Sequence, residues 1–378
     1  MLQWAFTMKI KTITCHDLYN YGSSLQAYAL MKYLMNLGHD VEIIDYKPDY
    51  LTQRYNLFAL SPRLSNNAAL KFFYYAVKIP LRLISYRPRK KAFDWFTNNY
   101  LSVTTRTYHS NEELEADPPQ ADIYFAGSDQ IWNTLYPNGK DPAFYLQFSS
   151  NTSVKASYAA SFSINYIEKN YVERVKLWLQ TLDYISVRES TGLSILRSVG
   201  LQGVQVMDPV FLLSSDEWQK LATGGRAFKD YILLYDFENN PVIENFAKKL
   251  SQKTGYQLVS ITDWFKLKYA NKNINNASPC DFLKLLINSS VFISNSFHGT
   301  AFSIIFNKEF YTFKRINQEV NSRMKDLLFS LELGNRMVTN EMQVDITDKI
   351  NYNNVNAILN DKILFSKKYL DCVCNCRI

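Results

Sequence analysis

The order of apolar runs constrains this chain more than any single residue does. Met8–Thr14 is an apolar run, Tyr19–Ser24 is a polar loop containing Gly22, and Leu25–Leu37 has helical spacing through Leu25, Tyr28, Ala29 and Leu34. Gly38 is the residue type suited to the left-handed position after a helix end, and Val41–Tyr46 reads as the next strand. A strand–loop–helix–strand unit opens a parallel, doubly wound sheet. Further strands are predicted at Ile123–Ala126, Ser157–Ala160, Tyr184–Val187 and Val204–Met207. The alternation restarts after Gly224 and Gly225, with strands at Tyr231–Tyr235, Tyr256–Ile261, Val291–Ile293 and Phe310–Phe313 and helices around Val242–Leu250 and Asp281–Ile287. The pattern predicts an α/β protein of two Rossmann-like domains, residues 1–222 and 223–378, facing a central cleft, with a C-terminal helical tail packing back on the first.

Composition narrows the class. With 47% apolar residues and no low-complexity tract, the chain is expected to be globular. It holds no run of about 18 uncharged apolar residues, and MLQWAFTMKI is a poor signal peptide, so a cytoplasmic location is expected. Three of the five cysteines, Cys372, Cys374 and Cys376, crowd the end and read as free thiols of a reduced tail, without the spacing of a metal site. The formal charge of +7 suits anionic partners. Residues 71–91 hold Lys71, Lys78, Arg82, Arg87, Arg89, Lys90 and Lys91 and no acid. Aromatic residues interleave with these bases. The segment reads equally as a peripheral contact with the inner face of the plasma membrane or as a solvated helix pair broken at Pro80. No nucleic-acid motif accompanies it, and none is expected as a partner.

In open parallel sheets, ligands bind beyond the carboxyl ends of the strands. That rule selects CHDLYNYGSS, GSDQIWN at 127–133, ASF at 160–162, VRES at 187–190, MDPV at 207–210 and SNSFHGT at 294–300. In the last, Ser294 or Ser296 caps a helix starting near Phe297–Thr300. Its unpaired N–H groups would face the cleft as an anion site, with Asn295, Gly299 and Thr300 around it. His298 reads there equally as a phosphate-proximal general acid or as a histidine that caps the turn and packs. Arg188 reads as a bidentate clamp on carboxylate or phosphate, or as an internal partner of Glu189. Arg323 and Arg336 are weaker candidates of the same kind. In the 127–133 loop, Ser128, Asp129, Gln130 and Trp132 suit a sugar, with the carboxylate on hydroxyls and the indole on a ring face. A capping aspartate and a buried tryptophan are the alternative. Asn20, Tyr21, Gly22 and Ser23 form a first-strand loop in which Gly22 permits a tight turn or close approach of backbone to ligand. Asp208 lies in the fifth of these loops, MDPV at 207–210.

The chain has no GxGxxG after the first strand, no GxxxxGK[ST], no HExxH and no GxSxG. Anion-binding groups with a candidate acid imply a transferase using a phosphorylated donor, and the residues alone go no further.

Taken together, the loops resemble the polysaccharide pyruvyl transferase family. The matching stretches are NYGSSLQAYAL, GHDVEIIDY, FAGSDQIWN, KASYAASF, ISVRES, MDPVFLL, VFISNSFHGTAFSIIF and NSRMKDLL, in family order. The resemblance implies a fold similar to the GT-B glycosyltransferases and transfer of the enolpyruvyl unit of phosphoenolpyruvate to a sugar of a surface or capsular repeat unit. The product would be a pyruvate ketal, with phosphate released and no cofactor or metal. It implies that His298 protonates the donor's methylene carbon and that Arg188 holds its carboxylate or phosphate. Some members carry an arginine two positions before the histidine, where this chain has Ser296; a second donor-binding cation then comes from elsewhere, with Arg323 as candidate. The acceptor would be an oligosaccharide or lipid-linked sugar. Two other readings make different demands: a sugar-nucleotide glycosyltransferase, and a non-catalytic carbohydrate-binding relative.

Overall fold

The computed structural model describes residues 7–52, 87–149, 152–224, 228–262, 266–316, 321–338 and 348–375. The first sheet comprises β1 (Lys9–Ile13), β2 (Asp40–Tyr46), β3 (Val103–Tyr108), β4 (Ile123–Ala126) and β5 (Val154–Ser157) in the order β3-β2-β1-β4-β5. β6 (Ser186–Val187) and β7 (Val204–Gln205) pair with each other. Single parallel bridges, Ala156 to Tyr184 and Ala160 to Val187, continue the sheet toward them. The second sheet comprises β8 (Tyr231–Tyr235), β9 (Gln257–Ile261), β10 (Lys272–Ile274), β11 (Val291–Ser294), β12 (Phe310–Phe313) and β13 (Met337–Val338), in the order β10-β9-β8-β11-β12-β13. Every pairing in both sheets is parallel. Parallel strands buried on both faces need continuous apolar runs, and YILLY in β8 and IYFA in β4 supply them.

Helices cover the sheets: α1 (Tyr21–Asn36), α2 (Asp49–Thr52), α3 (87–100), α4 (Asn111–Ala116), α5 (Val172–Leu179), α6 (Ser190–Ser198), α7 (Ser215–Leu221), α8 (Pro241–Thr254), α9 (Pro279–Asn288), α10 (Phe297–Ile305), α11 (Ser322–Ser330) and α12 (Tyr352–Asn375). One apolar cluster spans both sheets, so the halves share a core. The Tyr21 ring on α1 stacks on Phe282 of α9 at 4.8 Å, and its hydroxyl donates to the Ala277 carbonyl at 3.1 Å. Trp218 on α7 meets Phe302 of α10 edge-on at 4.9 Å.

The last helix crosses between the halves. Tyr352 at its start donates to the Lys308 carbonyl. Near its end, Ser366 accepts from the Met207 N–H at 2.8 Å and Tyr369 donates to the Ser157 carbonyl at 2.8 Å. The segment assigned from sequence to 223–378 thus ends against strands of the first half. Cys372 and Cys374 lie on this helix; Cys376 is outside the described residues.

Other expectations shift. The strand expected at Ser157–Ala160 lies at Val154–Ser157, and the chain then leaves extended geometry at Ala159, with φ +49°. β3, β10 and β13 lie where the sequence pattern predicts no strand. No described helix is long and apolar enough to cross a membrane. Most of the basic segment 71–91 lies outside the described residues, but its end is α3. There Arg89 is only 1% exposed, donating to the Tyr19 carbonyl at 2.7 Å and the Tyr21 hydroxyl at 3.0 Å. It anchors the start of α1 and is not available to a membrane.

Candidate active site

Strand ends from both sheets meet at a cavity of about 510 Å³. The first half contributes Cys15 and Asn20 after β1, Ser23 of α1, and Asp129, Gln130, Tyr136 and Asn138 after β4. The second half contributes Asp236 after β8, Asn295, Ser296 and His298 at β11–α10, Arg315 after β12 and Arg323 of α11.

β11 passes into α10 through two residues. Ser296 is the N-cap, and its Oγ accepts from the Gly299 N–H at 3.2 Å. Ser294 fixes the approach, its hydroxyl donating to the Tyr235 carbonyl at 2.7 Å and accepting from the Ser296 N–H at 2.9 Å. This cap sets His298 in the first turn of a helix whose open N–H end borders the cavity. His298 is 7% exposed, with Nε2 3.5 Å from Asp208 Oδ2. Its other side meets α1 at Gly22, where a Cβ would stand 2.0 Å from Nδ1. Gly22 is therefore a close-approach glycine, and what it admits is the histidine ring.

Beneath the cavity lies a buried ion cluster. Arg188 Nη1 donates to Asp208 Oδ2 at 2.5 Å, Nη2 is 3.6 Å from Asp129 Oδ1, and Nε is 3.9 Å from Glu189 Oε2. Its guanidinium covers the Phe297 ring at 4.6 Å. Arg323 Nη1 lies 3.8 Å from Asp129 Oδ1, and Ser23 Oγ donates to Asp129 Oδ2 at 2.8 Å. Burial alone would raise both carboxyls. For Asp129, the charges of Arg188, His298 and Arg323 outweigh burial; for Asp208, those of His298 and Arg188 do. Both carboxyls sit below the usual range. Burial, with Arg188 beside it, pushes Arg323 down to about 10, which leaves it cationic at neutral pH. Asp236 is the contrary case. Burial raises its carboxyl although it accepts from the Glu238 and Asn240 N–H groups and the Asn295 amide.

Of the residues expected at the site, Asn20, Ser23, Asp129, Gln130, Asn295, Ser296, His298 and Arg323 line the cavity. The others do not. Arg188 is not a clamp on the cavity wall, because three carboxylates surround it below that wall. Asp208 faces Arg188 and His298 and does not line the cavity. Trp132 is fully buried; its indole donates to the Phe144 carbonyl at 3.0 Å and stacks on Tyr145, so no ring face is open to a sugar. Ser128 donates to the Ala159 carbonyl at 2.7 Å, Thr300 shares a hydrogen bond with Thr312 at 2.8 Å, and Gly299 packs on Phe292. Tyr21 belongs to the shared core.

Sequence reasoning missed Arg315. It lines the cavity, its Nε donates to Glu238 Oε1 at 3.1 Å, and its guanidinium lies over Phe237 at 5.0 Å. The signal was present: Lys314 and Arg315 directly follow a predicted strand, where the strand-end rule applies.

The family model described as polysaccharide pyruvyl transferase matches residues 20–315. Among solved structures, the chain is similar to a UDP-N-acetylglucosamine 2-epimerase from Rickettsia bellii, with TM-score 0.47 and 15% identity over 97% of this chain and 96% of that one. For the UDP-GlcNAc 2-epimerase from Methanocaldococcus jannaschii the values are 0.46 and 12%, over 93% and 91%. For an E. coli heptosyltransferase with ADP-2-deoxy-2-fluoro heptose they are 0.38 and 10%, over 82% and 90%. No curated protein sequence matches the chain.

Proposed function

Because the chain belongs to the polysaccharide pyruvyl transferase family, we propose that it transfers the enolpyruvyl unit of phosphoenolpyruvate to a sugar of a polysaccharide repeat unit, closing a pyruvate ketal and releasing phosphate. The observation that carries this reading is His298 in the first turn of α10, bordering a cavity that Arg315 and Arg323 also line. Phosphoenolpyruvate brings a carboxylate and a phosphate. Two guanidinium groups and a helix N-terminus are complementary to both.

His298 gives its proton to the donor's methylene carbon, and C2 takes on oxocarbenium character. A sugar hydroxyl adds to C2, and its proton restores His298. The C2–O bond to phosphate then breaks, and the neighbouring hydroxyl adds to C2, its proton leaving with the phosphate. In the cluster below, the carboxylates of Asp129, Asp208 and Glu189 face the guanidinium groups of Arg188 and Arg323, and His298 Nε2 lies 3.5 Å from Asp208 Oδ2.

Calorimetric titration with phosphoenolpyruvate, run beside UDP- and GDP-hexoses, tests the reading. Phosphoenolpyruvate is expected to bind, and Arg315→Gln to weaken it about tenfold, near 1.4 kcal/mol. Saturable binding of a sugar nucleotide with none of phosphoenolpyruvate would overturn it.

A further inference from the structure

The two walls of the cavity differ in chemistry. Among the described lining residues, every cationic side chain comes from the second half. The first half offers amides, hydroxyls, the Asp129 carboxylate and one exposed aromatic ring, Tyr136, which is 38% exposed. Four residues earlier, Trp132 is the aromatic residue the sequence offers for sugar stacking, but it is sealed in the core. The same loop instead turns Tyr136 outward. Its N–H donates to the Asn133 carbonyl at 3.0 Å, and it caps the short turn Pro137–Lys140. That turn is tied down where the Asn138 amide donates to the Gln130 carbonyl at 2.5 Å. No described aromatic ring stacks on Tyr136.

We infer that Tyr136 is the platform of an acceptor subsite for a hexopyranose ring, an assignment that rests on the transferase reading above. A pyranose presents a face of C–H groups that packs on an aromatic ring, while its edge hydroxyls need neutral donors and acceptors. Gln130 and Asn138 line the same wall beside the ring. An anionic donor is drawn to the opposite wall by Arg315 and Arg323, and a donor as small as phosphoenolpyruvate leaves room in the cavity for a sugar. The ring thus sets which face of the acceptor turns toward His298.

Saturation-transfer NMR with methyl β-D-galactopyranoside, methyl β-D-glucopyranoside and methyl N-acetyl-β-D-glucosaminide, at saturating phosphoenolpyruvate, tests it on the whole protein. At least one glycoside is expected to bind, with Tyr136→Ala weakening it about tenfold and Tyr136→Phe, which keeps the ring, holding within about twofold. An unchanged signal in Tyr136→Ala, or no signal from the unsubstituted protein with any of the three, overturns the subsite. Phosphoenolpyruvate titration of the same proteins separates the two levels and shows that each variant is folded. Glycoside binding indifferent to Tyr136 while phosphoenolpyruvate binds removes the platform alone. Failure of phosphoenolpyruvate to bind the unsubstituted protein removes the reading beneath it.

Discussion

His16 and His298 occupy similar places. Each follows a strand of its sheet, each is buried, and each faces an aspartate: His16 Nε2 is 3.0 Å from Asp45 Oδ1, and His298 Nε2 is 3.5 Å from Asp208 Oδ2. Their surroundings differ. Asp45 also pairs with Lys47 at 3.0 Å and accepts from the Thr107 hydroxyl at 2.6 Å, so the first histidine completes a closed network. Cys15 and Leu18 on either side of His16 line the cavity, but His16 does not. His298 does, because its strand runs straight into a helix that opens onto the cleft. Burial beside a carboxylate is thus shared by a structural histidine and a candidate acid; the helix start and the cavity separate them.

The largest expected effect breaks the pair apart. His298→Ala should lower phosphate release from phosphoenolpyruvate, assayed with acceptor, by about 10²–10⁴-fold, the usual contribution of a positioned general acid. His16→Ala should lower the melting temperature and leave the turnover of folded protein within a few-fold. Equal losses of turnover in both would mean that His298 has no chemical role of its own.

Much of this contrast is legible in the sequence, and its limits are physical. Alternating apolar runs place both sheets because buried parallel strands need them. SNSFHGT reads as a helix start because its serines cap. Distance along the chain is where reading fails. Trp132 belongs to the core because its indole meets a carbonyl at Phe144 and a ring at Tyr145. Arg188 looks like a ligand clamp until Asp129 and Asp208, from two other loops, are seen to close around it. VTTRTY escaped notice as β3 because an edge strand carries polar residues that no apolar run marks.

The aspartates sharpen the comparison next. Both carboxyls lie below the usual range: burial opposes this, but Asp45 is held down by His16, Thr107 and Lys47, and Asp208 by His298 and Arg188. A depressed folded value contributes stability above the unfolded value of about 3.9, and that stability is lost as pH falls through the folded value. Asp208→Asn should cost about 3–5 kcal/mol at pH 7, because Arg188 loses its shortest ion pair in a buried site. Asp45→Asn should cost about 1.5–3 kcal/mol, since Lys47 keeps Asp17 at 3.3 Å. Urea melts at pH 7 and pH 3 should show both variants losing less on acidification than the unsubstituted protein. An Asp208→Asn protein as stable as the original at pH 7 would mean that Asp129 and Glu189 suffice for Arg188.

The smallest effect isolates position from stability. At Gly22 a Cβ would stand 2.0 Å from His298 Nδ1 and 2.4 Å from its Cγ, so Gly22→Ala must move the ring. Overpacking costs about 1–3 kcal/mol, offset by about 1 kcal/mol from replacing glycine within a helix. The melting temperature should therefore fall only slightly. Turnover should fall further, because displacing a catalytic group by about 1 Å can cost on the order of 10²-fold. Phosphoenolpyruvate affinity, which the proposed function assigns to Arg315 and Arg323, should hold within a few-fold. Loss of turnover with donor affinity and fold retained ties the rate to where the imidazole stands. Loss of all three together would make Gly22 a packing residue, and His298 would then look more like His16.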